Sequence, residues 1–258
     1  MPYVQVKDLD MFYEKMGYGD PVIFLHSGYS RGILAFASQL LDFQKAPYTC
    51  YYPDFRGHGR TRCESLVWSS PQLADDMLEF MNRLNLKRAH LIGYSLGASV
   101  GQYMAIRCPE RVATLTTIGS CGFADPTGVE EFEPEWLIEH GKTETIRHNQ
   151  ERHEEAHRGD WQQFMRQSAI DWRLYPDHTE DELRSIRCPS LFIAGEHDPF
   201  ADEPRMRRLG DLVEGSQVWI VPGGSHRPHM LRESPVLVND TILEFLRRHP
   251  LSADVETP

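Results

Sequence analysis

The sequence has few cysteines and no hydrophobic segment long enough to cross a membrane. Its five cysteines are odd in number, scattered and outside any CxxC pair, which favours free thiols over a disulfide framework. No apolar run approaches the roughly 18 residues of a membrane-spanning helix, so no membrane association is expected. The N-terminus also lacks the basic-then-apolar pattern of a signal peptide. These absences predict a cytoplasmic protein.

Clusters of basic residues are missing as well. The net charge is −11, and no basic run exceeds a pair such as Arg207-Arg208, so a nucleic-acid partner is not expected. With 40% hydrophobic and 25% charged residues, the 258-residue chain has the composition of a soluble globular protein with a large core. The length allows one large domain or two small ones, and nothing in the composition indicates an oligomeric state.

The negative charge is concentrated in one segment. Between Cys121 and Glu182 there are 16 acidic and six basic residues, a net of −10 out of −11 for the whole chain. This change in composition indicates an inserted segment.

Short apolar, β-branched segments alternate with amphipathic ones along the rest of the chain. A hairpin is predicted over residues 4–16, and buried strands over 21–27, 49–55, 89–95, 112–120, 190–198 and 216–224. Helices are predicted over 33–43, 96–107 and 204–213, after an N-cap Ser70 with Pro71, and from Ser234-Pro235. This order predicts an α/β fold with a mostly parallel, doubly wound sheet, in which ligands bind at the carboxyl ends of the strands.

The segment Gly93-Tyr94-Ser95-Leu96-Gly97 fits the pattern G-x-S-x-G at the junction of a predicted strand and a predicted helix. In a nucleophile elbow the turn is so tight that only glycine fits on either side, and the serine hydroxyl projects above the sheet. The alternative is a plain strand-to-helix turn with an N-cap serine. The context favours Ser95 as a nucleophile.

A serine needs a base to take its proton and an acid to orient that base. Asp198 and His226 each follow a predicted strand and come after Ser95 in the order Ser, acid, His. Glu196 or His197 could replace Asp198, and His229 could replace His226. Donors for a developing oxyanion are expected from the backbone N–H groups of Leu96 and of Gly28, with Ser27 as the alternative to Gly28.

The segments PVIFLHSG, PDFRGHGRT, GYSLGAS, GEHDPF and GGSHRPHMLRESP, spread over residues 21–120 and 188–248, together resemble the α/β-hydrolase superfamily. The resemblance implies a core domain of residues 1–120 and 188–258, with a helical cap of residues 121–187 inserted after the sixth strand. It implies the catalytic residues Ser95, Asp198 and His226, with Gly28 and Leu96 as the oxyanion hole. The family usually has His-Gly where this chain has His26-Ser27. Relatives that use an aspartate nucleophile are excluded because Ser95 occupies that position.

Pocket walls are expected from several aromatic residues. Within the acidic segment, five residues repeat at helical spacing and form an amphipathic stripe: Trp161, Phe164, Met165, Ser168 and Trp172. The stripe either packs the cap on the core or contributes Trp161, Phe164 and Trp172 to the pocket. Ser27, Tyr29 and Tyr94 are placed at the pocket by their positions after strands.

His153-Glu154-Glu155-Ala156-His157 fits the zinc-protease pattern H-E-x-x-H. Its flanks are charged on every side and no third ligand is evident, so a solvated acidic helix is predicted and no metal site.

The sequence therefore predicts a cofactor-independent serine hydrolase that cleaves an ester, lactone or thioester of a small, partly apolar carboxylic acid through an acyl-enzyme on Ser95. A lyase or carbon–carbon bond hydrolase using the same three residues is the alternative. A non-catalytic small-molecule receptor is a third hypothesis, but the complete set of three catalytic groups argues against it.

Overall fold

The computed structural model describes residues 3–251 and arranges their strands in one eight-stranded sheet of order β1-β2-β4-β3-β5-β6-β7-β8. The strands are β1 (Tyr3–Val6), β2 (Leu9–Gly17), β3 (Asp20–Leu25), β4 (Tyr48–Pro53), β5 (Ala89–Tyr94), β6 (Val112–Ile118), β7 (Ser190–Gly195) and β8 (Gln217–Val221). β1 and β2 form a hairpin, and β2 is antiparallel to β4. All other neighbours are parallel, so the predicted mostly parallel α/β sheet is confirmed.

Helices connect the parallel strands. They are α1 (Gly32–Ala35), α2 (Leu40–Lys45), α3 (Ser70–Arg83), α4 (Leu96–Arg107), α5 (Pro134–Glu139), α6 (Thr143–Arg152), α7 (Glu154–His157), α8 (Trp161–Leu174), α9 (Glu180–Arg184), α10 (Glu203–Leu212) and α11 (Pro235–Arg247). Short 3₁₀ helices cover Pro109–Arg111 and Val129–Phe132. The helices α5 to α9 all lie between β6 and β7, where an inserted segment was expected.

Two hydrophobic clusters pack on opposite faces of the sheet. Because successive strand residues face opposite sides, Ile23 and Leu25 join one cluster while Val22 and Phe24 join the other. The first cluster contains the apolar faces of α3, α4 and α10, and the second contains those of α1, α2 and α11. Covering both faces leaves the carboxyl ends of the strands as the natural place for a site.

Two helix predictions need correction. The helix expected over 33–43 is divided into α1 and α2 by a turn at which Gln39 is buried, its side chain donating to the His229 carbonyl (2.7 Å) and to Asn239 Oδ1 (2.8 Å). The N-cap of α3 is Ser69, whose side chain accepts from the Gln72 N–H, and not Ser70. Ser70 is the first helical residue and bonds to Asp171 instead.

The H-E-x-x-H segment is not a solvated helix. His153 and His157 are both buried, and α7 has only four residues. His153 Nδ1 accepts from the Gly59 N–H (2.9 Å), so this histidine joins the α5–α9 segment to the loop after β4. The error arose because charged neighbours in sequence do not show which side chains turn inward.

Candidate active site

Ser95 lies in the tight turn between β5 and α4. Its backbone has φ 53° and ψ −116°, and its N–H donates to the Ile118 carbonyl at the end of β6 (2.8 Å). At Gly97 a Cβ would lie 1.9 Å from the carbonyl oxygen of Leu25, so no other residue allows α4 to start this close to β3. The fixed turn holds the Ser95 side chain at the carboxyl end of the central strands.

Asp198 and His226 are joined by a hydrogen bond. Nδ1 of His226 lies 3.0 Å from both carboxylate oxygens of Asp198. Asp198 Oδ1 also accepts from the N–H groups of Phe200 (2.9 Å) and Ala201 (3.1 Å). Burial acts to raise the pKa of Asp198, but the hydrogen bond and charge of His226 and these two N–H groups outweigh it, so the pKa is lowered. An ionised carboxylate only accepts, which places the hydrogen of the imidazole on Nδ1 and leaves Nε2 as the basic nitrogen.

The rival acid and base lie elsewhere. Glu196 accepts from the Gly223 N–H (2.8 Å) at the protein surface, and the neighbouring His197 side chain is exposed. His229 is completely buried, donates from Nε2 to the Ala35 carbonyl (3.2 Å), and has its pKa lowered by burial to about 3. These three residues do not line the cavity that contains His226.

A cavity of about 630 Å³ brings most of the predicted site residues together. This volume is in the range of small-molecule sites. The predicted residues on its wall are Ser27, Gly28, Tyr29, Tyr94, Ser95, Leu96, Trp172 and His226. Asp198 lies directly behind His226.

Two predicted pocket residues, Trp161 and Phe164, do not line this cavity. Phe164 is completely buried and stacks on His153, with ring centroids 4.3 Å apart, and it also packs against Trp68. Trp161 packs against the same hydrophobic cluster. The amphipathic stripe of α8 therefore serves mainly to pack the helix on the core, and of its three aromatic residues only Trp172 reaches the cavity.

The loop after β3 is held by the buried His26. Its Nε2 accepts from the Phe55 N–H (2.9 Å), so Nδ1 carries the hydrogen and donates to the Ser27 carbonyl (2.7 Å). This bond places Gly28 beside the start of α4, since a Cβ on Gly28 would lie 3.9 Å from Leu96 Cδ2. Within residues 3–251, the N–H groups of Gly28 and Leu96 have no hydrogen-bond acceptor. Both are free to donate to a ligand atom.

A continuous row of aromatic rings forms one wall of the cavity. Starting at His226, neighbouring ring centroids lie 5.0 Å apart to Phe200, 5.2 Å to Trp172, 5.1 Å to Phe132 and 5.3 Å to Tyr29. Sequence reasoning missed Phe200 and Phe132. The position of Phe200 two residues after Asp198 could have indicated it, whereas Phe132 lies in the acidic run, which gives no such signal.

Among residues 3–251, no group of three or more His, Cys, Asp or Glu side chains is placed to hold a metal ion. No helix in this range is both long and apolar enough to cross a bilayer.

Comparisons with known proteins define the class. A family model described as the alpha/beta hydrolase family matches residues 22–241, and the chain belongs to this family. A protein of Azorhizobium caulinodans, provisionally named carbamate hydrolase RutD, is 24% identical, with 95% of this chain and 98% of that protein covered.

Two solved structures share the fold. An esterase from Exiguobacterium antarcticum superposes with a TM-score of 0.79 at 17% identity, over 95% of this chain and 98% of that one. A variant of the meta-cleavage product hydrolase of Pseudomonas fluorescens has a TM-score of 0.72 at 19% identity, over 93% and 95% of the two chains. Family membership supports hydrolase activity.

Proposed function

We propose that this protein is a serine hydrolase that cleaves an ester, lactone or thioester of a small, partly apolar carboxylic acid. The observation that carries the proposal is the hydrogen bond between Asp198 and His226, because His226 lies on the wall of the cavity that contains Ser95. The segment 121–187, with α5 to α9, acts as a cap that covers the carboxyl ends of the strands.

The chemistry follows from the roles of these groups. Nε2 of His226 takes the proton of Ser95 Oγ as the oxygen attacks the substrate carbonyl. Asp198 keeps Nδ1 protonated and stabilises the imidazolium that forms. The N–H groups of Gly28 and Leu96 donate to the oxyanion, and α4 contributes the positive end of its dipole. His226 then protonates the leaving group, and a water molecule activated by the same histidine releases the acid from Ser95.

The cavity wall supports an apolar acyl group. The aromatic lining and the cavity volume of about 630 Å³ suit a compact and flat substrate better than a long, flexible chain. A carbon–carbon bond hydrolase is the second candidate, because the same three groups could attack a ketone as they attack an ester, and the similar structure from Pseudomonas fluorescens is that of a meta-cleavage product hydrolase.

The test is a series of p-nitrophenyl esters of increasing acyl length, assayed with the wild type, Ser95→Ala and, as a matched control, Ser65→Ala at an exposed serine. We expect the wild type and Ser65→Ala to hydrolyse the short and aryl esters, and Ser95→Ala to be inactive. Activity that survives in Ser95→Ala would refute the assignment. A folded wild type that leaves every ester intact would favour the second candidate.

A further inference from the structure

One region of the cavity wall is polar, in contrast to the aromatic wall. It is formed by Tyr29, Ser168 and Asp171, which we call the polar pole. Ser168 and Asp171 are three residues apart on α8 and so share a helix face, and Tyr29 directly follows Gly28. The Tyr29 side chain therefore connects the polar pole to the loop that contributes Gly28 to the site.

The hydroxyl of Tyr29 is buried and has no hydrogen-bond partner within residues 3–251. Tyr29 and Asp171 line the same cavity; burial first, and then the charge of Asp171, raises the pKa of this hydroxyl, whereas the nearby Ser168 hydroxyl lowers it. The Ser168 hydroxyl donates to the Phe164 carbonyl (3.0 Å), so its oxygen is left as an acceptor. A buried hydroxyl without a partner is costly, and a ligand atom can remove that cost.

Asp171 is almost completely buried yet uses only part of its bonding capacity. Oδ1 accepts from the Ser70 N–H (2.6 Å) and Oδ2 from the Ser70 hydroxyl (2.7 Å). A carboxylate has about four acceptor sites, so two remain, and the residue also lines the cavity. Burial raises the pKa of Asp171 to about 6, although both bonds from Ser70 lower it.

The Ser70 bonds have a structural purpose, since they join α8 to the start of α3. A purely structural carboxylate needs no access to the cavity, and the neighbouring Gln167 provides a second connection by donating to the Trp68 carbonyl (2.7 Å). The cavity-facing side of Asp171 is left without a structural role.

We infer that the polar pole is a specificity subsite that binds a hydroxyl group on the acyl part of the substrate, donating to Asp171 and accepting from Tyr29. The row of rings from His226 to Tyr29 gives that acyl part a flat wall along its length. The preferred substrate class is therefore an ester of an arylalkanoic acid whose ring carries a hydroxyl group. This inference rests on the proposed function, which places the scissile carbonyl at Ser95.

The test compares three esters that differ at one ring position: p-nitrophenyl phenylpropanoate and its para-hydroxyphenyl and para-methoxyphenyl analogues. The methoxy analogue is a control because it has the oxygen but cannot donate. The wild type should have a kcat/KM for the hydroxylated ester that is about tenfold to a hundredfold above the other two, the usual range for a hydrogen bond to a charged group. Equal values within about twofold would overturn the inference.

Substitutions in the polar pole test whether its residues cause the preference for the hydroxylated ester. Asp171→Asn and Tyr29→Phe should each bring the ratio of hydroxylated to plain ester within about threefold of one. Tyr29→Phe keeps the test decisive if Asp171→Asn fails to fold, because the Tyr29 hydroxyl bonds to nothing in the described chain. The matched controls Asp177→Asn and Tyr18→Phe change exposed side chains outside the cavity and should keep the wild-type ratio. A ratio that survives both pole variants would place the recognition elsewhere.

A binding measurement separates this inference from the proposed function. Calorimetric titration of Ser95→Ala with the hydroxylated and plain esters reports recognition without turnover. If the wild type hydrolyses neither ester but Ser95→Ala binds the hydroxylated one about tenfold tighter, the proposed function fails and the subsite stands. Equal affinities for the two esters would refute the subsite, whatever the activity.

Discussion

The imidazole of His226 lies directly against Gly119, the residue that follows β6. A Cβ at this position would be 2.8 Å from Cε1 and 2.9 Å from Nδ1 of His226, and 3.2 Å from Asp198 Oδ2. Gly119 also has a φ of 68°, which side chains rarely adopt. The absence of a side chain here allows the histidine to lie between Asp198 and the cavity.

Gly119→Ala should displace His226 and lower kcat by about a hundredfold, since a shift of about 1 Å in a catalytic group has a cost of this size. The matched control is Gly215→Ala, where φ is 72° and a Cβ would meet nothing within 4 Å. This control reproduces the backbone strain without the contact. Steady-state kinetics with thermal unfolding checks the expectation, and an equal loss of activity in both variants would contradict it.

Asp198→Asn should lower kcat by about 10⁴ while the protein stays folded, because an amide N–H beside Nδ1 favours the wrong histidine tautomer. Glu196→Gln is the matched control, as Glu196 is the nearest rival acid and its side chain accepts from the Gly223 N–H, away from His226. A variant of Glu196 with the larger loss would reverse the assignment of the two acids.

The β-strands and the elbow were predictable from sequence because their signals are local. An apolar run followed by Gly93-Tyr94-Ser95-Leu96-Gly97 defines the end of β5 and the start of α4 without knowledge of distant contacts. The cavity wall was predictable only in part. Phe164 and Trp172 share one helix stripe, but His58 and Trp68 of the loop after β4 cover the first, whereas the second faces the cavity.

The inward-facing residues of the inserted segment were harder to predict. His153 and Asp171 are buried and Phe132 is partly buried; all three lie among charged neighbours, and each contacts a partner far away in sequence. The charge pattern therefore indicates the segment but not which of its side chains turn inward.

Acid should unfold this protein steeply because its core contains neutral histidines. Burial lowers the pKa of His26, His90 and His178 to about 4 and of His58 and His229 to about 3, and it also lowers that of His153. The unfolded chain takes up these protons near pH 6.5 and the folded chain does not. Stability is therefore present above about pH 6.5 and is lost as the pH falls toward 4, by up to about 1.4 kcal/mol per pH unit for each histidine.

Urea denaturation between pH 7.5 and 5 should give a slope that corresponds to uptake of about five protons by these six histidines on unfolding near pH 5.5. His178→Gln should reduce the uptake by about one proton, with His148→Gln, at a partly exposed position, as the control. A free energy of unfolding that stays constant over this range would contradict neutral burial.

Prolonged dialysis against EDTA should leave turnover unchanged, since His153 binds the Gly59 N–H. His153→Ala should instead lower the free energy of unfolding by about 2–4 kcal/mol through a cavity beside Phe164 and an unpaired N–H. Loss of activity on chelation, restored by zinc, would show that the segment holds a metal.

The central claim is that Ser95 is the nucleophile, and covalent labelling tests it most directly. The wild type is treated with a fluorophosphonate, digested and analysed by mass spectrometry to locate the modified residue. We predict one adduct on Ser95, formed far more slowly in Asp198→Asn and absent in Ser95→Ala. An adduct on another residue, or an unmodified Ser95 in the folded protein, would contradict the account.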